Sequence, residues 1–440
     1  MDKQGAVDMK SVSIVTLGCK VNQYDTAVIL NQLPKSKYKT VPFSDKADVY
    51  VIDTCTVTHK ADAEARNYIR RAKRANPDGV VVVTGCYAQV SPEELKEVKG
   101  VDYVIGNSHK FSSLLKIIRE GKRQEEPKVF ISDIFKEKKK KFESPDIEVF
   151  PGRTRAFLKV QDGCNYACTF CIIPRARGRS RSLDIPEILH RMEKLALSGY
   201  KEIVLTGVHI ASYGRDIGSN FFELIREIEK EKIVNRVRLT SLDPADTELE
   251  LIDFIAESKT ICPQFHIALQ SGDQDVLKRM RRRYDPERFL DLTNLIRKRI
   301  PDAAIGSDIM VGFPGETEHE FLNTYQIAKD SPLTYFHVFP YSKRKMTVAA
   351  VMPEQIHPEI VKDRSKRLRE LGSNKKTSFF KQFIGRKFPV LIEKGSKGTT
   401  PNYIPVRITG GSFNIGDEVL VRISGVKNEE ALGVPETAIT

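Results

Sequence analysis

Three short apolar runs near the start of the chain, at 13–16, 49–53 and 80–83, each end within three positions in a cysteine: Cys19, Cys55 and Cys86. Helical stretches at 24–33 and 61–76 separate them, the second stopping before Pro77. Strands alternating with helices imply a parallel sheet covered by helices. In an open sheet of this kind the C-terminal strand ends line one crevice, where ligands bind. A single such cysteine is ordinarily a buried core residue. Three at equivalent positions can meet and hold an iron–sulfur cluster by three corners, leaving one iron open.

A second alternating series starts at Arg155. Strands are expected at 156–160, 202–205, 236–239, 264–269, 304–311 and 335–339, with helices at 186–197, 221–230, 249–258, 286–299 and 318–329. Asp184 and Asn220 stand where helix N-caps are wanted. Right-handed crossovers curl six such units into a partial barrel whose strand C-termini form the working face. Just past the first of these strands, Cys164, Cys168 and Cys171 follow a C-x3-C-x2-C spacing. Three thiolates again leave one iron of a 4Fe–4S cluster free to chelate a substrate. Structural zinc wants a fourth ligand, and no nearby His or Cys supplies one. Candidate cofactor contacts on the same face are Phe170 within the motif, then Gly207, Ser241, Gln270, Ser271 and Asp308, with Asp243 beside them. Glycine there allows close approach of backbone, and the polar side chains suit the hydroxyl, amino and carboxylate groups of a bound cofactor. His209 reads as structural, and histidines 59, 109, 190, 319 and 357 as surface groups. Cys262 has no partner set and reads as core.

The stretch 278–284 packs five cations around Tyr284, fitting either a solvated helix end or a carboxylate or phosphate contact. Between the two series, 121–152 is charged and poorly periodic, with a lysine run at 138–141 and one short strand at 128–131. A solvated run and an RNA contact are both open readings of those lysines. A basic helix at 358–380 leads to alternating segments at 388–393, 403–408 and 418–423, a small β-barrel. Lys and Arg exceed Asp and Glu to give a net charge of +13, which suits a polyanionic partner. No apolar run approaches the ~20 residues of a membrane span. Residues 1–10 lack the apolar core of a signal peptide, so no membrane partner and a cytoplasmic, reducing compartment are expected.

Taken together, these residues resemble the methylthiotransferase family of radical S-adenosylmethionine (SAM) enzymes, over about residues 10 to 440. Leu17-Gly18-Cys19-Lys20-Val21-Asn22-Gln23-Tyr24-Asp25, the stretch 153–164 and Leu205-Thr206-Gly207-Val208-His209 are similar to the branch acting on N6-threonylcarbamoyladenosine of tRNA. The resemblance implies an α/β protein of three parts. These are an open parallel-sheet domain (1–125) carrying an auxiliary cluster, a radical SAM partial (β/α)6 barrel (153–375) after a linker (126–152), and an all-β TRAM barrel (376–440). It implies two 4Fe–4S clusters, on Cys19, Cys55 and Cys86 and on Cys164, Cys168 and Cys171, together with SAM. It further implies insertion of a methylthio group at C2 of the modified adenosine at tRNA position 37. Expected partners are the tRNA anticodon stem-loop, a flavodoxin or ferredoxin as electron donor, and a sulfur donor. Another tRNA base modification or a ribosomal protein is the rival target, and a zinc-stabilised RNA-binding protein the rival class.

Overall fold

The computed structural model describes residues 9–136, 142 and 144–436. The lysine run at 138–141 and most of the N-terminal stretch 1–10 lie outside them. Strands β1 (Lys10–Thr16), β2 (Tyr38–Thr40), β3 (Val49–Thr54), β4 (Val80–Gly85), β5 (Tyr103–Ile105) and β6 (Lys128–Phe130) form one sheet in the order β2-β1-β3-β4-β5-β6, every neighbour parallel. β3 and β4 are buried along their whole length, as strands with helices on both faces must be. The short strand expected inside the linker is β6. Its backbone pairs with β5, which makes it the edge of the sheet and not part of a spacer.

The second series begins at β7 (Ala156–Lys159). A short antiparallel pair, β8 (Gln161–Asp162) with β9 (Arg181–Ser182), then closes the loop that carries Cys164, Cys168 and Cys171. β10 (Glu202–Thr206), β11 (Arg236–Leu239), β12 (Gln264–His266), β13 (Ala304–Val311) and β14 (Tyr335–Pro340) complete the set. Two three-stranded sheets, β11-β10-β7 and β12-β13-β14, join through parallel bridges Val237 to Ile261 and Leu242 to Ile267. The result is the expected six-stranded open barrel. The ladder of β12 stops at His266, short of residue 269, because the next amides alternate between partners: Ile267 donates to Gly306 and Ala268 to Leu242. Asp184 and Asn220 do cap their helices, accepting from the Glu187 and Glu223 amides at 3.0 and 2.8 Å.

After the helix Pro358–Lys381, strands β15 (Lys387–Lys394), β16 (Lys397–Thr399), β17 (Pro405–Ile408), β18 (Glu418–Lys427) and β19 (Glu430–Pro435) close a small barrel. β16 and β19 were not legible in the pattern: one is three residues long, and both carry glycine, which weakens a strand signal. This barrel seals the end of the larger one away from the cysteines. Arg236 donates to the Thr399 and Pro389 carbonyls at 3.2 and 2.6 Å. Arg238 pairs with Glu202 at 2.7 Å and stacks on Tyr403, 5.0 Å from the ring centre. Cys262 is buried at this end, as core. One apolar core runs from Tyr24, Ala27 and Val28 of the first unit into the partial barrel, so the two sheets share an interface. Among the described residues no helix is long and apolar enough to cross a membrane.

Candidate active site

Cys19, Cys55 and Cys86 follow β1, β3 and β4 at the same end of the sheet, two of them buried and Cys19 exposed. Gly18 sits at φ +94°, and a Cβ there would lie 2.5 Å from the Cys55 Cβ and 2.9 Å from its sulfur. Only glycine lets the Cys19 loop come this close. Burial and the neighbouring Cys86 and Cys19 thiols push the Cys55 thiol up to about 12. Burial also raises Cys86, with Cys19 adding to it and Arg177 opposing. The Asn107 amide donates to the Cys86 sulfur at 3.7 Å.

In the barrel, Cys164, Cys168 and Cys171 are half-buried at the strand C-termini. Burial and the other two thiols push Cys171 up to about 12. Arg282 donates to the Cys168 sulfur at 3.4 Å, and the Tyr166 amide to the Cys164 sulfur at the same distance. Burial and neighbouring thiols raise Cys55, Cys86, Cys164 and Cys171, while N–H groups already point at the sulfurs of Cys86, Cys164 and Cys168. That donor set is stable as thiolates once a shared positive metal centre offsets the repulsion. Among the described residues, the groups with all ligand atoms within 4.8 Å are His266, Asp308, His337 and His209, Asp243, Asp246; neither cysteine trio is that tight. Tetrahedral zinc, with Zn–S of ~2.3 Å, needs sulfurs ~3.8 Å apart. Neither trio meets that spacing.

The trios face a common junction. A cavity of 220 Å³ is lined by Val57 and Thr58 of the Cys55 loop and by Phe170, Cys171, Gln270 and Asp308 of the barrel. Gln270 holds φ +60°, an unfavourable conformation for a side-chain-bearing residue, kept in place because its amide donates to the Asp308 carbonyl at 2.8 Å. Burial pushes the Asp308 carboxyl up, but His266 at 3.1 Å, with His337 and Lys20, holds it below the ordinary carboxylate range. Beneath the junction lies a network of six charged groups with side chains at most 11% exposed. Lys110 bridges Asp25 and Asp53 at 3.2 and 3.0 Å, Lys159 joins Asp25 to Asp162, and Arg177 meets Asp162 at 3.0 Å and Asp25 at 3.4 Å.

Of the expected contacts, Phe170, Gln270 and Asp308 share the cavity. The others do not line it. Ser271 is fully buried against the Thr324 hydroxyl at 3.1 Å, Gly207 lies against Gln161, and Ser241 is exposed. His209 packs on Tyr166 with ring centres 4.6 Å apart and lies 3.5 Å from Asp246. Of the five cations at 278–284, Arg282 turns inward to Cys168 and Asp243, Arg279 pairs with Glu320 at 2.8 Å, and Arg283 stacks on Tyr166. Sequence reasoning missed His266, His337 and the charged network. The signal for the network was present: Lys159 and Asp53 interrupt or end strands that are otherwise apolar.

Residues 158–328 match the Radical SAM superfamily and residues 11–106 the uncharacterized protein family UPF0004. The threonylcarbamoyladenosine tRNA methylthiotransferase MtaB of Aquifex aeolicus is 42% identical over 400 residues, covering 91% of this chain and 97% of that protein. The protein of the same name from Bacillus subtilis is also 42% identical, over 94% of each chain. The solved structure of the radical S-adenosylmethionine methyltransferase TsrM from Kitasatospora setae superposes with TM-score 0.56 at 16% identity, over 78% of this chain and 77% of that one, a likeness of fold. With paired cysteine trios on two parallel sheets and that identity along nearly its whole length, the chain belongs to the MtaB family of radical SAM methylthiotransferases.

Proposed function

We propose that this enzyme inserts a methylthio group at C2 of N6-threonylcarbamoyladenosine at position 37 of tRNA. As a radical SAM methylthiotransferase it works with SAM and 4Fe–4S clusters, two being the family's number. The observation that carries the reading is the shared cavity, lined by the loop of one cysteine trio and by Cys171 of the other. In this reading Cys164, Cys168 and Cys171 hold the cluster that binds SAM, and Cys19, Cys55 and Cys86 hold the second. When bound, these groups supply the radical, the sulfur and the methyl; the chain aligns them. Arg282 and Asn107 orient the thiolates through N–H···S contacts. Phe170, Met310 and Phe339 keep water from the cavity, and Gln270 and Asp308 present polar atoms to SAM. Gly207, Ser241 and Ser271 lie outside this lining.

The target base leaves its stack to enter the junction. Exposed Arg175, Arg179 and Arg281 surround the cysteine loop, and the β15–β19 barrel grips the anticodon stem-loop. A flavodoxin or ferredoxin supplies electrons, a separate donor supplies sulfur, and the tRNA substrate sets the cytoplasm as the place of work. The sheet β1–β6, the barrel β7–β14 and the barrel β15–β19 are the functional units. Anaerobically reconstituted enzyme is incubated with SAM, a reductant and tRNA bearing the threonylcarbamoyl modification, then the RNA is digested to nucleosides. A methylthio-for-hydrogen mass gain on that nucleoside is expected. Gain on ribosomal protein, or on a different adenosine modification alone, overturns the reading.

A further inference from the structure

The helix Ile173–Arg177 follows the barrel's cysteine motif and ends against the other trio. Its contacts reach all three cysteine loops of the β1–β6 sheet through two asparagines. Asn22 donates to the Leu17 and Thr54 carbonyls, each at 2.9 Å, just ahead of Cys19 and Cys55. The Asn22 side-chain oxygen accepts from Arg177 and, at 3.9 Å, from the Cys19 thiol. Asn107 donates both to the Cys86 sulfur at 3.7 Å and to the Ala176 carbonyl at 2.8 Å. The Arg177 side chain is 2% exposed, so water does little to screen its charge. Its other bonds go to Asp162, at 3.0 and 3.1 Å, and to Asp25.

We infer that Arg177 is a positioning residue for the second cluster, and that its buried charge, delivered from the barrel, raises that cluster's reduction potential. The inference rests on Cys19, Cys55 and Cys86 holding a cluster. Reduction adds one negative charge to such a centre, and a nearby unscreened cation stabilises the reduced form more than the oxidised one. Asp162 works against Arg177, because it neutralises part of the guanidinium's field. Removing Arg177 and removing the charge of Asp162 must therefore move the potential in opposite directions. A role confined to packing has no reason to do that.

The test uses the full chain carrying Cys164→Ala, Cys168→Ala and Cys171→Ala, so that only the second site remains, reconstituted anaerobically with iron and sulfide. Reduction by dithionite through mediators is followed by electron paramagnetic resonance. Added to this background, Arg177→Met is expected to make reduction at least tenfold less favourable, about 59 mV for one electron. Arg177→Lys should recover most of that loss, and Asp162→Asn should shift the potential upward. An unchanged potential in Arg177→Met at full iron content overturns the inference, as does a shift of the same sign in Asp162→Asn. If Arg177→Met fails to load, Arg177→Gln, which keeps an N–H donor for Asn22, is read in its place: a lowered potential supports the role, and an unchanged or raised one refutes it. If the background protein itself takes up no iron, the cysteine assignment has failed, and the Arg177 role falls with it.

Discussion

Gly18→Ala is the sharpest test of how closely the Cys19 and Cys55 loops approach. At φ +94° an alanine is strained, a cost of about 1–3 kcal/mol. Its Cβ would also sit 2.5 Å from the Cys55 Cβ, and relieving such overpacking costs about 1–3 kcal/mol more. Together, roughly 2–6 kcal/mol is levied on the geometry that lets two thiolates share one cluster. At about 1.4 kcal/mol per decade, cluster retention weakens by between about thirtyfold and about twenty thousandfold. Gly199→Ala is the matched control, with φ +91° and nothing within 4 Å of a Cβ, so it carries the strain without the overlap. The assay is iron per chain after anaerobic reconstitution, alongside deoxyadenosine release and methylthio product. Gly18→Ala should fall from about eight irons to about four, keep deoxyadenosine release and lose product. Gly199→Ala should keep all three. Full iron and normal product in Gly18→Ala would refute the close approach, and loss of deoxyadenosine release would refute the independence of the two trios.

Cys168→Ala should abolish SAM cleavage, whereas Cys55→Ala should leave deoxyadenosine release intact and stop sulfur insertion; liquid chromatography of both products separates them. Lys110→Met leaves Asp53 without its cation in a fully buried site, Asp25 keeping Lys159 and Arg177, and a loss of about 3–5 kcal/mol is expected in urea unfolding. Acid should act through the same network. Burial pushes the Asp162 carboxyl up, but Arg177 and Lys159 outweigh it and hold it far below the ordinary carboxylate range. A depressed folded pKa means its stabilisation is fully present above about pH 4, the unfolded value, and declines as pH falls further. Asp162→Asn should accordingly flatten the acid limb of stability against pH, measured as urea midpoints between about pH 5 and about pH 3.

The two parallel sheets were readable before any coordinates because their causes are local. β-branched runs alternate with helical periods, and Asp184 and Asn220 signal helix starts through side chains that reach only three residues along. Cys19, Cys55 and Cys86 could be grouped for a related reason: each follows a strand end, and strand ends of a parallel sheet converge by topology alone, whereas Cys164, Cys168 and Cys171 share one loop. Strands β16 and β19 were not readable, since their pairing comes from barrel closure and not from their own composition.

The sorting of polar candidates needed the fold. Gln270, Ser271 and Asp308 look alike along the chain, yet Gln270 and Asp308 line the cavity while Ser271 turns to Thr324. Which way each side chain faces depends on where the neighbouring strand and helix pack. His266 and His337 are 71 residues apart (337 − 266) and meet only because β12 and β14 flank β13. The network of Asp25, Lys110, Lys159 and Arg177 is drawn from both sheets, so no spacing in the chain encodes it. Sequence by itself determined the elements, the two trios and the chemistry their residue types permit, because those follow from short-range periodicity and topology. Tertiary structure alone decided which charges are buried together and which side chains share the cavity, because burial and electrostatic reach depend on distance in space.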